Sequence, residues 1–114
     1  MTQHDERVRL RHTLEAAREA VGLAKGLNHE DLARQRLVEL ALTKLVETVG
    51  EAASRIPKDV QARSPEIPWP QIVTMRHRLV HGYDAVDPDV LWGTVTEDLP
   101  SLVPLLERAL GEES

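Results

Sequence analysis

The chain has 114 residues, a formal charge of −5 and no cysteine. That length fits one domain with its own core, predicted to span residues 1–114, and the absence of cysteine excludes disulfide frameworks, thiolate metal sites and cysteine nucleophiles. The acidic balance disfavours long-range attraction to a polyanion, so any nucleic-acid contact is expected to be local.

Trp69, Trp92 and Tyr83 are the only aromatic residues, too few for the stacking surfaces of sheet-based single-strand binders. The opening "MTQHDERVRLRH" lacks the apolar stretch of a signal peptide, and no apolar run reaches the roughly 18 residues that span a bilayer. A soluble, cytoplasmic protein without membrane attachment is the expectation.

Leu10, Leu14, Ala17, Val21 and Ala24 recur at helical steps and predict a first helix over about residues 5–25. Asn28, with Asp31 three positions on, marks the N-cap of a second helix. Leu37, Leu40, Ala41, Leu45, Val49, Ala52 and Ile56 are read as one broad apolar face that carries it from 29 to 56, where Pro57 ends it. The proline-rich "PKDVQARSPEIPWP" is read as a connection holding at most a short helical turn, and a third helix is predicted over about 70–83. Asp87 as N-cap and Pro88 as first helical residue open the last helix, which Pro100 and Pro104 should kink or split. No segment alternates with period two for long. The expected fold is all-α, an up-and-down bundle of four to five helices.

Chemistry gathers in "TMRHRLVHGYDAVDP", residues 74–88. On a helix of about 100° per residue, Ile72, Met75 and Leu79 form the core side, while His77 and His81 point elsewhere. Val73 and Val80 give this polar face an apolar border that a second subunit could cover. Histidine both takes and gives protons near neutrality, and arginine holds phosphate with a fork of donors. Together they suit metal-independent phosphodiester cleavage: a base takes the ribose 2′-OH proton, arginine stabilises charge on phosphorus, and an acid protonates the leaving 5′-oxygen.

Two plainer readings stand beside this one. Arg and His on an exposed helical face are usually just solvated. His77 and His81 also have the i, i+4 spacing of helical zinc sites, but the partner glutamate is missing, Arg76 and Arg78 would repel a dication, and Asp84 or Asp87 would have to serve as third ligand. No cofactor is called for. Tyr83, at the expected helix end, either packs its ring or lies at the mouth of the cleft. The spacing assigns His4, His12 and His29 to the surface, Trp69 and Trp92 to packing at helix ends, and Glu51 to a solvated helix position rather than a pairing with an arginine of the cleft.

The run "IPWPQIVTMRHRLVHGYDAVDPDVLWGTVTEDLPSL", with "VRLRHTLEAAREAV" and "LVETVGEAASRIP" upstream, resembles the HepT-like family of HEPN-domain proteins. These are ribonuclease toxins of two-component toxin–antitoxin modules. The resemblance covers nearly the whole chain and rests on Arg76, four intervening residues, His81 and then Tyr83. It implies a helical bundle that forms a homodimer with facing Arg-x4-His motifs and cuts RNA, tRNA or mRNA, without a metal. It also implies a minimal nucleotidyltransferase antitoxin as partner, which in some systems transfers AMP to the motif tyrosine. Carried onto this chain, Arg76 and His81 are catalytic, His77 and Arg78 auxiliary, and Tyr83 the AMP acceptor. The chain departs from the family in two places: His77 stands where most relatives have Asn, and Asp84 where an aromatic residue is usual. The rival from another class is a non-catalytic interaction or nucleotide-binding subunit of a nucleotidyltransferase complex that uses the same face.

Overall fold

In the computed structural model, which describes residues 3–80 and 85–111, the fold is all-α. Helix α1 spans Gln3–Ala24, α2 His29–Arg34 and α3 Arg36–Ser54. Short helices α4 (Lys58–Gln61), α5 (Trp69–Val73) and α6 (Met75–Leu79) follow, and the chain closes with α7 (Pro88–Gly93), a π-helical segment (Thr94–Asp98) and α8 (Leu99–Leu110). Helix α1 packs along both α3 and α8, and α5 and α6 lie against α3. The core forms where Leu14, Ala17 and Ala20 of α1 meet Leu42, Val46 and Val49 of α3, and Leu99, Leu102 and Leu106 of α8. Each set recurs at three- and four-residue steps, which aligns it on one side of its helix.

The turn after α1 passes through Gly26 at φ 80°, a left-handed conformation that favours glycine. Asn28 then caps α2 as the sequence predicts: its side chain accepts from the Asp31 N–H at 3.2 Å, while Asp31 accepts from the Asn28 N–H at 2.8 Å.

The predicted helix over 29–56 is broken at Gln35, whose φ of −118° and ψ of 83° are not helical. Gln35 ends α2 through its N–H to the Asp31 carbonyl at 2.8 Å and starts α3 by accepting from Val38 and Glu39. The break has a packing reason. On one continuous helix Leu32 would lie about 80° away from the Leu42, Val46 and Val49 stripe, yet it is only 2 % exposed. The bend turns Leu32 inward. Leu37 and Leu40, read from sequence as part of the apolar face, instead lie on the opposite side of α3 and are 81 % and 47 % exposed.

In the connection, α4 is the single short helix, and Trp69 secures the far end. The Trp69 indole is buried, and its N–H donates to the carbonyls of Gln61 at 3.0 Å and Ser64 at 3.2 Å. Near the C-terminus, Asp87 caps α7 by accepting from the N–H groups of Asp89 and Val90. The Leu99 N–H then bonds the Thr94 carbonyl, five residues back. This widened turn lies just ahead of Pro100, which has no N–H and whose ring would crowd an ordinary helical turn.

Candidate functional site

The predicted helix over 70–83 is two short helices, and it ends early. Thr74 separates α5 from α6, and the chain leaves helical geometry at Val80, whose φ of −83° and ψ of 122° are extended. Val80 bridges Val86 in antiparallel fashion, and the Leu79 carbonyl accepts from the Asp87 N–H. These two contacts join the chain on either side of residues 81–84. His81 and Tyr83, the expected acid/base and AMP acceptor, lie outside the described residues. The zinc reading assumed one helix running through His77 and His81, whereas α6 ends at Leu79.

The core side of this segment is as expected: Ile72, Met75 and Leu79 are buried. Arg76, His77 and Arg78 are all exposed. The two arginines diverge. Arg76 turns toward α3, its Nη1 lying 3.6 Å from Glu51 Oε2. Arg78 turns toward the π-helical segment, 4.0 Å from Asp98 Oδ2, and its Nη2 donates to the Gln71 carbonyl at 3.5 Å.

Gly50 brings α5 and α6 this close to α3. A Cβ there would sit 3.1 Å from the Ile72 carbonyl oxygen and 3.5 Å from that of Val73. The missing side chain lets the two helices approach, which places Arg76 next to Glu51.

Glu51 is thus not merely solvated, as the sequence suggested. Its Oε1 accepts from Arg55 Nε at 3.2 Å and Nη2 at 2.9 Å, leaving Oε2 toward Arg76. At 3.6 Å the Arg76 contact is an ion pair without a hydrogen bond, so its guanidinium donors remain able to take a phosphate. The i, i+4 spacing of Glu51 and Arg55 was visible in the sequence, but the approach of Arg76 depends on the α3–α5 contact.

Arg76 stands at the rim of a groove of about 590 Å³ between α1 and α3. Val8, Arg9 and His12 line it from α1, and Lys44, Thr48, Glu51 and Arg55 from α3. Arg9 Nε is buried there with no hydrogen-bond partner.

His29 was assigned to the surface by sequence. It joins α2 to α7, its Nε2 lying 2.8 Å from Asp89 Oδ1 and its ring stacked on Trp92 with centroids 6.1 Å apart and planes within 5°. No local signal reveals this pairing, because 60 residues separate His29 from Asp89.

A helical bundle with an exposed Arg-His-Arg segment just ahead of the Val80–Val86 bridge places the chain in a class of small all-α domains. Comparison with known proteins narrows the class: the model of the ribonuclease HepT-like family matches residues 13–109. The chain belongs to this family. Among its relatives, a protein named probable ribonuclease HepT, from Thermococcus cleftensis, is 42% identical over 79 residues, 69% of this chain and 72% of the relative. A candidate RNase of Caldanaerobacter subterraneus subsp. tengcongensis is 28% identical over 104 residues, covering 91% and 93% of the two chains. Another, from Methanocaldococcus jannaschii, is 28% identical over 102 residues, covering 90% and 94%. No solved structure gives a significant match. Among the described residues, no helix is long and apolar enough to cross a membrane.

Proposed function

We propose that the protein is a metal-independent endoribonuclease, the toxin of a toxin–antitoxin module, which acts on tRNA or mRNA as a homodimer. The observation that carries this reading is the family match over residues 13–109, a span that includes Arg76, His81 and Tyr83. The geometry around Arg76 supports it: an exposed guanidinium with unspent donors, on the short helix that leads into the Val80–Val86 bridge.

In this account the histidine of one protomer, His81, takes the proton of the ribose 2′-OH. The freed oxygen attacks phosphorus, Arg76 stabilises the charge that develops there, and His81 of the second protomer protonates the leaving 5′-oxygen. The products are a 2′,3′-cyclic phosphate and a 5′-hydroxyl. His77 and Arg78 are auxiliary. The divergence of the side chains supports assigning the phosphate role to Arg76, while Arg78 faces Asp98 of the π-helical segment. Val80, half exposed beside the motif, provides the apolar border on which a second protomer would rest.

Tyr83 is the regulatory position. A nucleotidyltransferase antitoxin would transfer AMP from ATP to the phenol, placing a phosphate where it competes with RNA for Arg76.

The test is cleavage of purified RNA in EDTA across a pH series. Histidine acid/base chemistry predicts a bell-shaped profile that chelation leaves unchanged, with products ending in cyclic phosphate. Activity lost on chelation, or products with 3′-hydroxyl ends, would overturn the mechanism.

A further inference from the structure

The groove between α1 and α3 has a volume of about 590 Å³, and the chemistry above uses only its rim. Its lining holds four cations, Arg9, Lys44, Arg55 and Arg76, against three carboxylates, in a chain whose overall charge is −5. Positive charge is therefore concentrated here against the background of the molecule. The cations lie along the groove rather than at one point. From Lys44 to Arg55 the helix advances about 16 Å at 1.5 Å per residue, and Arg76 closes the same end as Arg55.

Glu51 has a particular place in this arrangement. It presents a carboxylate to two guanidinium groups, the recognition that arginine also offers a phosphate. Arg55, Arg76 and Glu51 are all about half exposed or more, at 61%, 49% and 48%, so water screens the pairs and holds them weakly. A phosphodiester can displace such a carboxylate at little cost. At the other wall Arg9 adds a further cation, its Nε buried without a hydrogen-bond partner.

We infer that this groove is the bed for the RNA strand flanking the scissile phosphate, with Lys44, Arg55 and Arg9 contacting successive phosphates and Glu51 holding the arginine site until RNA displaces it. The inference rests on the ribonuclease reading for its choice of ligand, but it assigns different residues. Most of the lining side chains carry a charge or a hydroxyl, and their aliphatic stems join Val8 and Ala52 to form an apolar floor, so the groove offers charged heads to a phosphate backbone rather than a deep apolar pocket for the anchors of a peptide.

The test is equilibrium binding of a short fluorescein-labelled 2′-O-methyl RNA of mixed sequence, which cannot be cleaved because it has no free 2′-OH. Wild type, Lys44→Gln, Arg55→Gln and Glu51→Gln are compared over a salt series, with circular dichroism to check folding. Lys44→Gln and Arg55→Gln should each weaken binding roughly fivefold. The slope of log affinity against log salt should fall by about 0.7 for each. Glu51→Gln should tighten binding, an opposite sign that a loss of structure would not produce. Wild-type affinity and slope in all three variants would overturn the groove assignment, as would failure of wild type to bind. Cleavage of unmodified RNA is scored separately. A wild type that cuts, with variants unchanged in binding, leaves the ribonuclease and removes the groove; a wild type that binds as described without cutting leaves the groove and removes the ribonuclease.

Discussion

At the scale of single residues, Gly50 and Glu51 are neighbours with complementary roles. Glu51 faces the arginines, and Gly50 makes room for the helix that brings one of them. Gly50→Ala adds about 1 kcal/mol of helix propensity, but it sets a methyl 3.1 Å from the Ile72 carbonyl, where overpacking costs about 1–3 kcal/mol. The expected result is a net loss near 1 kcal/mol in urea unfolding, together with a fall in RNA cleavage larger than that loss explains, because α5 and α6 shift with Arg76. Unchanged cleavage would show that Arg76 does not depend on this contact. Trp69→Phe keeps the ring but deletes the donor to Gln61 and Ser64, leaving buried carbonyls less satisfied. A loss of about 1–2 kcal/mol is expected from the same unfolding measurement.

Among the helices, how far the sequence could be read depended on whether a signal was local. The Asn28 and Asp87 caps, the proline-limited connection and the buried stripe of Ile72, Met75 and Leu79 were all legible, since each is decided within one turn or one helical face. The break at Gln35 was not: residue 35 carries no proline or glycine signal, and the bend follows from the need to bury Leu32 against a distant partner. For the same reason Leu37 and Leu40 were misassigned to the core face. The difference can be measured. Leu42→Ala removes a fully buried side chain and should cost about 2–5 kcal/mol, whereas Leu37→Ala should stay within about 0.5 kcal/mol. Equal costs would mean that Leu37 is covered in solution. The candidate site was half legible. Arg76 and His77 were correctly placed on an exposed face, but the helix was extended past Val80, where pairing with Val86 outweighs the helical pattern. That pairing joins residues six positions apart in extended geometry, and helical periodicity could not show it. Asp87→Ala, which removes the cap just after this bridge, should cost about 1 kcal/mol.

On the scale of the whole molecule, an acidic protein that acts on RNA must gather its cations, and this fold does so by laying α1 beside α3 and bringing α6 to the end of the groove they form. The arrangement explains how a chain of charge −5 can hold a polyanion locally. It also predicts that binding weakens as ionic strength rises, because the contacts are exposed, with a slope set by about 0.7 per phosphate contact. Activity is proposed to need two copies, so dilution below the dimer dissociation constant, followed by analytical ultracentrifugation, should reduce specific activity in step with the monomer fraction. The most direct test of the central claim compares purified wild type with Arg76→Ala and His81→Ala on total RNA in EDTA, with oligomeric state and folding checked in parallel. Wild type should cut and leave 2′,3′-cyclic phosphate ends, while both variants fold, dimerise and fail to cut. Cutting by His81→Ala at the wild-type rate would contradict the account.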